Sequence, residues 1–135
     1  MNIKFANGTN FEYLNALETE EYFNGASRRT LTFECAVGVI SVDELNTLLS
    51  NETNTASLTL TGDAIAVLDA DGNPTGETTQ AVTIYDGYVL KLKCGIENKL
   101  ITAETPDAAA AYADRLVFKL GKRTYIEEQL HKLGL

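Results

Sequence analysis

Hydrophobic and polar positions alternate through most of this chain, with the two-residue period of half-buried β-strands. The cleanest case is Arg29 to Val37. Leu31, Phe33, Cys35 and Val37 fall on one side, Thr30, Thr32 and Glu34 on the other. This predicts a strand whose first set faces a core. Tyr88 to Ile96 is the longest run of the kind, with Tyr88, Leu90, Leu92, Cys94 and Ile96 inward and Lys91 and Lys93 toward water. Shorter runs predict strands at Asn2 to Ala6, Thr9 to Leu17, Ala56 to Thr61, Ala64 to Leu68, Thr78 to Tyr85, Leu100-Ile101 and Arg115 to Leu120.

Turn chemistry punctuates these runs. Asn7-Gly8 and Asp86-Gly87 are hairpin signals, because both residues tolerate the left-handed conformation of tight turns. Asn24-Gly25, the Asp69-to-Pro74 cluster and Asn98 are expected turns, and the charged stretch Glu18 to Glu21 reads as a turn or strand edge. Two segments switch to the helical period. Ser41-Val42-Asp43-Glu44 has the spacing of a capping box, and Val42, Leu45, Leu48 and Leu49 share one face, so a helix is expected over residues 42–49. Thr124-Tyr125-Ile126-Glu127 repeats the capping pattern. Ile126, Leu130 and Leu133 line one face, His131 and Lys132 sit in the last turn, and Gly134 stops a helix expected over 125–133. Thr105-Pro106-Asp107 resembles a helix start for Ala108 to Ala111, although that alanine run reads equally as a surface linker.

The pattern predicts one domain, residues 1–135, of the α+β class. Its main part is an antiparallel sheet, barrel-like or a two-layer sandwich, with the two helices covering open ends or one face. No apolar stretch approaches a membrane span, and Met1-Asn2-Ile3-Lys4-Phe5 lacks the apolar segment of a signal peptide, so synthesis in the cytoplasm is expected.

Charge changes the picture more by position than by total. The net charge is -8, yet no Lys or Arg occurs between Arg29 and Lys91, an interval holding nine acids. Such segregation can steer like copies head to tail. It argues against nucleic acid as a partner, which needs clustered cations. The one basic pair of the N-terminal half, Arg28-Arg29, is a candidate for docking on the acidic region of a neighbouring copy, or else a solvated strand edge. Tyr85 and Tyr88, flanking Asp86-Gly87, complete the candidate interaction surface, because Tyr is enriched at interfaces.

Candidate chemistry dissolves on inspection. Asp69-Ala70-Asp71-Gly72-Asn73 resembles a calcium loop, but Gly72 comes at position 4 where the loop needs it at position 6, and a turn accounts for these residues. His131 is the only histidine and lies at a helix C-terminus. Cys35 and Cys94 sit in apolar alternating runs and read as buried thiols, with a disulfide between adjacent strands possible but not implied. No glycine-rich phosphate loop is present. No catalytic, metal-binding or cofactor-binding residue is therefore expected.

Three groups of segments carry a family resemblance: Ile3-Lys4-Phe5-Ala6-Asn7-Gly8-Thr9; Glu21 to Leu31 followed by the Ser41-to-Leu49 helix; and Ile84-Tyr85-Asp86-Gly87-Tyr88 with Arg123 to Leu130. They resemble small uncharacterised proteins that prophages of gut Gram-positive bacteria encode beside tail and baseplate components. The Thr61-to-Gln80 region, with its hairpin around Gly72, departs from them as an insertion. The resemblance implies a non-enzymatic virion structural protein of the tail or baseplate. Its partners would be proteins, itself or other tail components, and it would pass from cytoplasm to virion. The alternative is a β-rich binding module for a small ligand or a surface glycan. The resemblance brings no site residues with it.

Overall fold

The computed structural model describes residues 1–135 and shows an α+β fold of antiparallel sheets. In chain order the elements are β1 (Asn2–Phe5), β2 (Asn10–Glu12), β3 (Asn15–Phe23), β4 (Ala26–Ala36), α1 (Val42–Leu49), α2 (Glu52–Thr55), β5 (Ser57–Thr61), β6 (Ile65–Leu68), β7 (Pro74–Thr79), β8 (Val82–Asp86), β9 (Leu90–Thr102), β10 (Ala111–Gly121) and α3 (Tyr125–Lys132). Two four-stranded sheets, ordered β2-β1-β5-β8 and β3-β4-β10-β9, form the layers of a sandwich, and β6-β7 is a separate two-stranded ribbon.

The alternation explains the core. Ile3, Phe5, Phe11, Leu58 and Leu60 point inward from the first sheet, and Leu31, Phe33, Cys35, Leu116, Phe118 and Leu120 from the second. Leu45, Leu48 and Leu49 of α1 close the cluster. Phe118 is its centre, stacked on Phe33 at 4.8 Å and in contact with Phe11 at 6.0 Å and Phe5 at 6.3 Å. Ser41 caps α1 by accepting from the Glu44 N–H, but the Glu44 side chain does not bond back to the Ser41 N–H, so half of the expected capping box forms. At the β3–β4 hairpin Asn24 has φ 52° and Gly25 φ 78°, the two left-handed positions that an Asn-Gly turn supplies.

Several expectations change, and each for a tertiary reason. The strand expected from Thr9 to Leu17 is two strands in different sheets. The Tyr13 N–H bonds back to Met1 O at 3.0 Å, while the next N–H, of Leu14, bonds to Glu34 O at 2.7 Å. Asp86-Gly87 is likewise no hairpin. The Gly87 N–H completes the first sheet on Ala56 O, then the chain crosses to β9 in the second. The run Thr78 to Tyr85 breaks at Gln80-Ala81 into β7 and β8. Asn98 is not a turn, because β9 continues to Thr102 as the partner of β10. Ala108 to Ala111 forms no helix. Thr105 and Ala108 bridge each other at the tip of the β9–β10 hairpin, and pairing across it overrides the alanines' helix propensity. The expected edge at Glu18 to Glu21 lies inside β3, which is an edge strand. The one-turn helix α2 has no counterpart in the pattern.

Two side chains on β9 depart from the alternation: a register shift opposite Lys119-Leu120 puts Leu92 beside Arg28 on the outer face, and Ile96, on an edge strand, is exposed. Two on β4 depart as well. Val37 lies beyond the strand end and is exposed, whereas Thr30, expected outward, is fully buried on the second face of the sheet. There it shares hydrogen bonds with Thr19 and Glu21. The cysteines lie on β4 and β9 with β10 between them, so their backbones are about 9 Å or more apart and cannot be bridged.

Candidate assembly interface

Arg28 is the first residue the structure relocates. It lies on the outer face of β4, where α3 and the β10 end cover it, and only 2% of it is exposed. All five guanidinium donors are used. Nε and Nη2 donate to Phe23 O, Nη1 donates to Lys122 O, and Nη1 and Nη2 grip the Glu127 carboxylate at 2.6 and 3.1 Å. Gly121 makes the room: a Cβ there would stand 3.1 Å from the Arg28 Cδ and 3.0 Å from a Leu92 methyl. Arg28 is thus removed from the accessible surface expected for it. It is the internal anchor of α3.

Arg29 points the other way and is exposed, ion-paired with Glu18 on β3. The other oxygen of Glu18 accepts from the Tyr88 hydroxyl at 3.3 Å. Tyr88 is buried, edge-on to Tyr85 at 5.8 Å and beneath the Lys122 ammonium at 5.5 Å. Tyr85 is half-buried against the core. Of the four candidate residues, then, Arg29 alone is open to solvent. Tyr88 and Tyr85 seal the crossover between the sheets.

The exposed apolar surface lies elsewhere. α3 presents its polar side to the body, through Glu127 on Arg28 and through Glu52, which pairs with Arg123 and stands 3.9 Å from His131. Its apolar stripe faces outward. Tyr125 is 79% exposed, Ile126 70%, Leu130 43% and Leu133 73%, and no residue of the helix is itself buried. The capping box forms as expected, with Thr124 and Glu127 bonding reciprocally. The helix therefore exists where the pattern put it, but it covers no core. Beside it runs a depression of about 430 Å³ whose lining includes Lys122, Arg123 and Lys132 against Asp86 and Glu128.

The second such surface is the β6–β7 ribbon. It continues the β5–β8 ladder past Gly62, whose N–H bonds to Ala81 O at 2.8 Å, and then projects from the body. Ile65 and Leu68 are exposed, as is all of β7. Asp69 shapes its tip by accepting from the backbone N–H groups of Asp71 and Asn73, both at 2.9 Å, so the calcium-like cluster is an Asx turn. The arm bears Asp63, Asp69, Asp71 and Glu77 and no cation. The tip of the β9–β10 hairpin projects in the same manner, with Leu100, Ile101 and Tyr112 exposed.

The remaining surface offers little concavity. The two largest depressions, about 470 and 430 Å³, are lined almost wholly by polar residues. A more apolar one, between Phe23 and Leu92, is about 210 Å³, below the ordinary range of small-molecule sites. No three His, Cys, Asp or Glu side chains gather as a metal-binding set. Burial pushes the Cys35 thiol up to about 12, the opposite of an activated nucleophile. No helix is long and apolar enough to cross a membrane.

What the fold and surface define is an antiparallel sandwich with two projecting hairpins and an outward-facing amphipathic helix. Comparison with protein-family models, curated proteins and solved structures finds no match.

Proposed function

We propose that this chain is a non-enzymatic structural subunit that works through protein–protein contacts. The observation that carries this reading is α3. An amphipathic helix ordinarily turns its apolar stripe to the core. Here the stripe faces solvent, and polar contacts hold the helix in that orientation. Contiguous exposed apolar surface of this kind marks an interaction site in a folded protein. The projecting arms support the same reading, since an isolated two-stranded ribbon is marginal in water without a partner to cover it. A phage tail or baseplate is the setting that the sequence resemblance implies.

The test is native mass spectrometry of the protein alone and co-expressed with the products of its neighbouring genes. A defined complex, homomeric or mixed, is expected. A strict monomer under both conditions overturns the proposal.

A further inference from the structure

Two of the three unpartnered apolar surfaces, the β6–β7 arm and α3, stand at opposite ends of one strand pair. Thr61 pairs with Val82 where the acidic arm leaves the body, and Ser57 pairs with Asp86 beside the α3 depression. Five pairs, the ends included, span this distance, about 13–14 Å at strand rise, and the arm extends onward from the far one. An arm so placed cannot reach its own α3. It can reach the α3 of another copy.

The surfaces are also complementary in kind. The arm combines exposed Ile65 and Leu68 with Asp69, Asp71 and Glu77, and no base offsets them. Around α3, Glu127 and Glu52 are spent inward on Arg28 and Arg123. Lys132 is left exposed on the outer side of the helix, with Lys122 in the adjoining depression. Each surface thus offers an apolar centre; the border of the arm is wholly acidic, and that of α3 is mixed, with Lys122 and Lys132 outnumbering Asp86 once Glu128 is set against Arg123.

We infer that copies of this chain associate head to tail, the β6–β7 arm of one lying on the α3 stripe and depression of the next. The inference rests on the assembly reading above and names its partner. The contact is heterologous: donor and acceptor are different surfaces, so it propagates into a ring or a filament instead of closing as a two-fold dimer. Opposite charges on the two surfaces orient the encounter, and the association weakens as salt screens them.

The experiment uses two variants at exposed positions, Leu68→Asp on the arm and Ile126→Asp on α3. Sedimentation velocity follows their association, and thermal melts confirm that both fold. Wild type is expected to form a concentration-dependent series of oligomers. Each variant alone should lose self-association by about thirtyfold, the effect of removing one interface anchor. A mixture of the two should restore a single 1:1 dimer, because the Ile126→Asp copy still has its arm and the Leu68→Asp copy still has its helix. Variants that associate like wild type, or a mixture that stays monomeric, overturn the arm-on-helix contact. A wild type that is monomeric alone yet binds a co-expressed neighbouring gene product overturns head-to-tail docking while leaving the assembly role standing.

Discussion

Arg28 and Glu127, 99 positions apart, meet in a two-pronged ion pair that fastens the C-terminal helix to the outer face of the second sheet. The Arg28 side chain is fully buried, whereas a third of the Glu127 side chain remains exposed. Removing the carboxylate strands a buried cation, which costs about 3–5 kcal/mol when both partners are enclosed. Because Glu127 is partly solvated, Glu127→Gln should destabilise by about 2–3 kcal/mol in urea melts. Arg28→Lys should cost as much, since three donors on one ammonium nitrogen replace the planar fork whose five N–H groups span Phe23 O, Lys122 O and Glu127. In both variants the α3 amides should exchange faster with solvent while β4 and β10 stay protected. Unchanged stability and exchange would show that the pair is not the anchor.

The same pair sets an acid limit. The Arg28 guanidinium, with help from the Thr124 N–H, pulls the Glu127 carboxyl from 4.5 down to about 2. A depressed carboxyl stabilises the fold fully above its unfolded value and ceases to do so as pH falls through its folded value. The attachment of α3 should therefore persist at pH 5 and be lost between about 4.5 and about 2. A pH series of NMR spectra checks this, with the Arg28 Nε–H resonance moving in that window in wild type and losing that movement in Glu127→Gln.

Phe118 touches Phe33, Phe5 and Phe11, which come from both sheets. Phe118→Ala should cost about 3–5 kcal/mol, the range for emptying a fully packed aromatic site. A loss under 1 kcal/mol in denaturant titration would mean that the sandwich does not close around this ring.

The thiols should be inert in the folded protein. Cys35 is fully buried and shifted up to about 12, and burial also raises the half-buried Cys94. At pH 8 native protein should react with a thiol reagent slowly at Cys94 and not at Cys35, and both should react at once in denaturant. No intramolecular disulfide should form under oxidation, because β10 separates the two strands. Rapid labelling of native Cys35 would contradict its position.

Amides of the β6–β7 arm should exchange far faster than those of β4 and β10 in dilute protein, since the ribbon is solvated throughout. Under associating conditions the arm and α3 should gain protection together. Protection of one without the other would argue against their mutual contact.

Much of the architecture is written in short-range pattern. Alternation located the inward residues of β4 and β10, Asn-Gly turns marked the first two hairpins, and capping residues located α1 and α3. These signals are local because they depend on backbone conformations and hydrogen bonds within a few residues. The acidic middle of the chain is likewise a property of the sequence alone.

Only the tertiary structure decided which sheet each strand joins and which way each amphipathic face turns. An alternating run says that one side is buried, not against what, so Tyr13-Leu14 and Asp86-Gly87 look like strand and hairpin until the long-range ladders assign them to different sheets. The Ile126–Leu130–Leu133 stripe is the plainest case. Its period is that of a core-facing helix, yet one buried guanidinium on a strand distant in sequence holds the opposite side of α3 inward. Nothing near Glu127 in the sequence reveals Arg28. The contact that turns the helix outward arises only once β4 and β10 lie side by side.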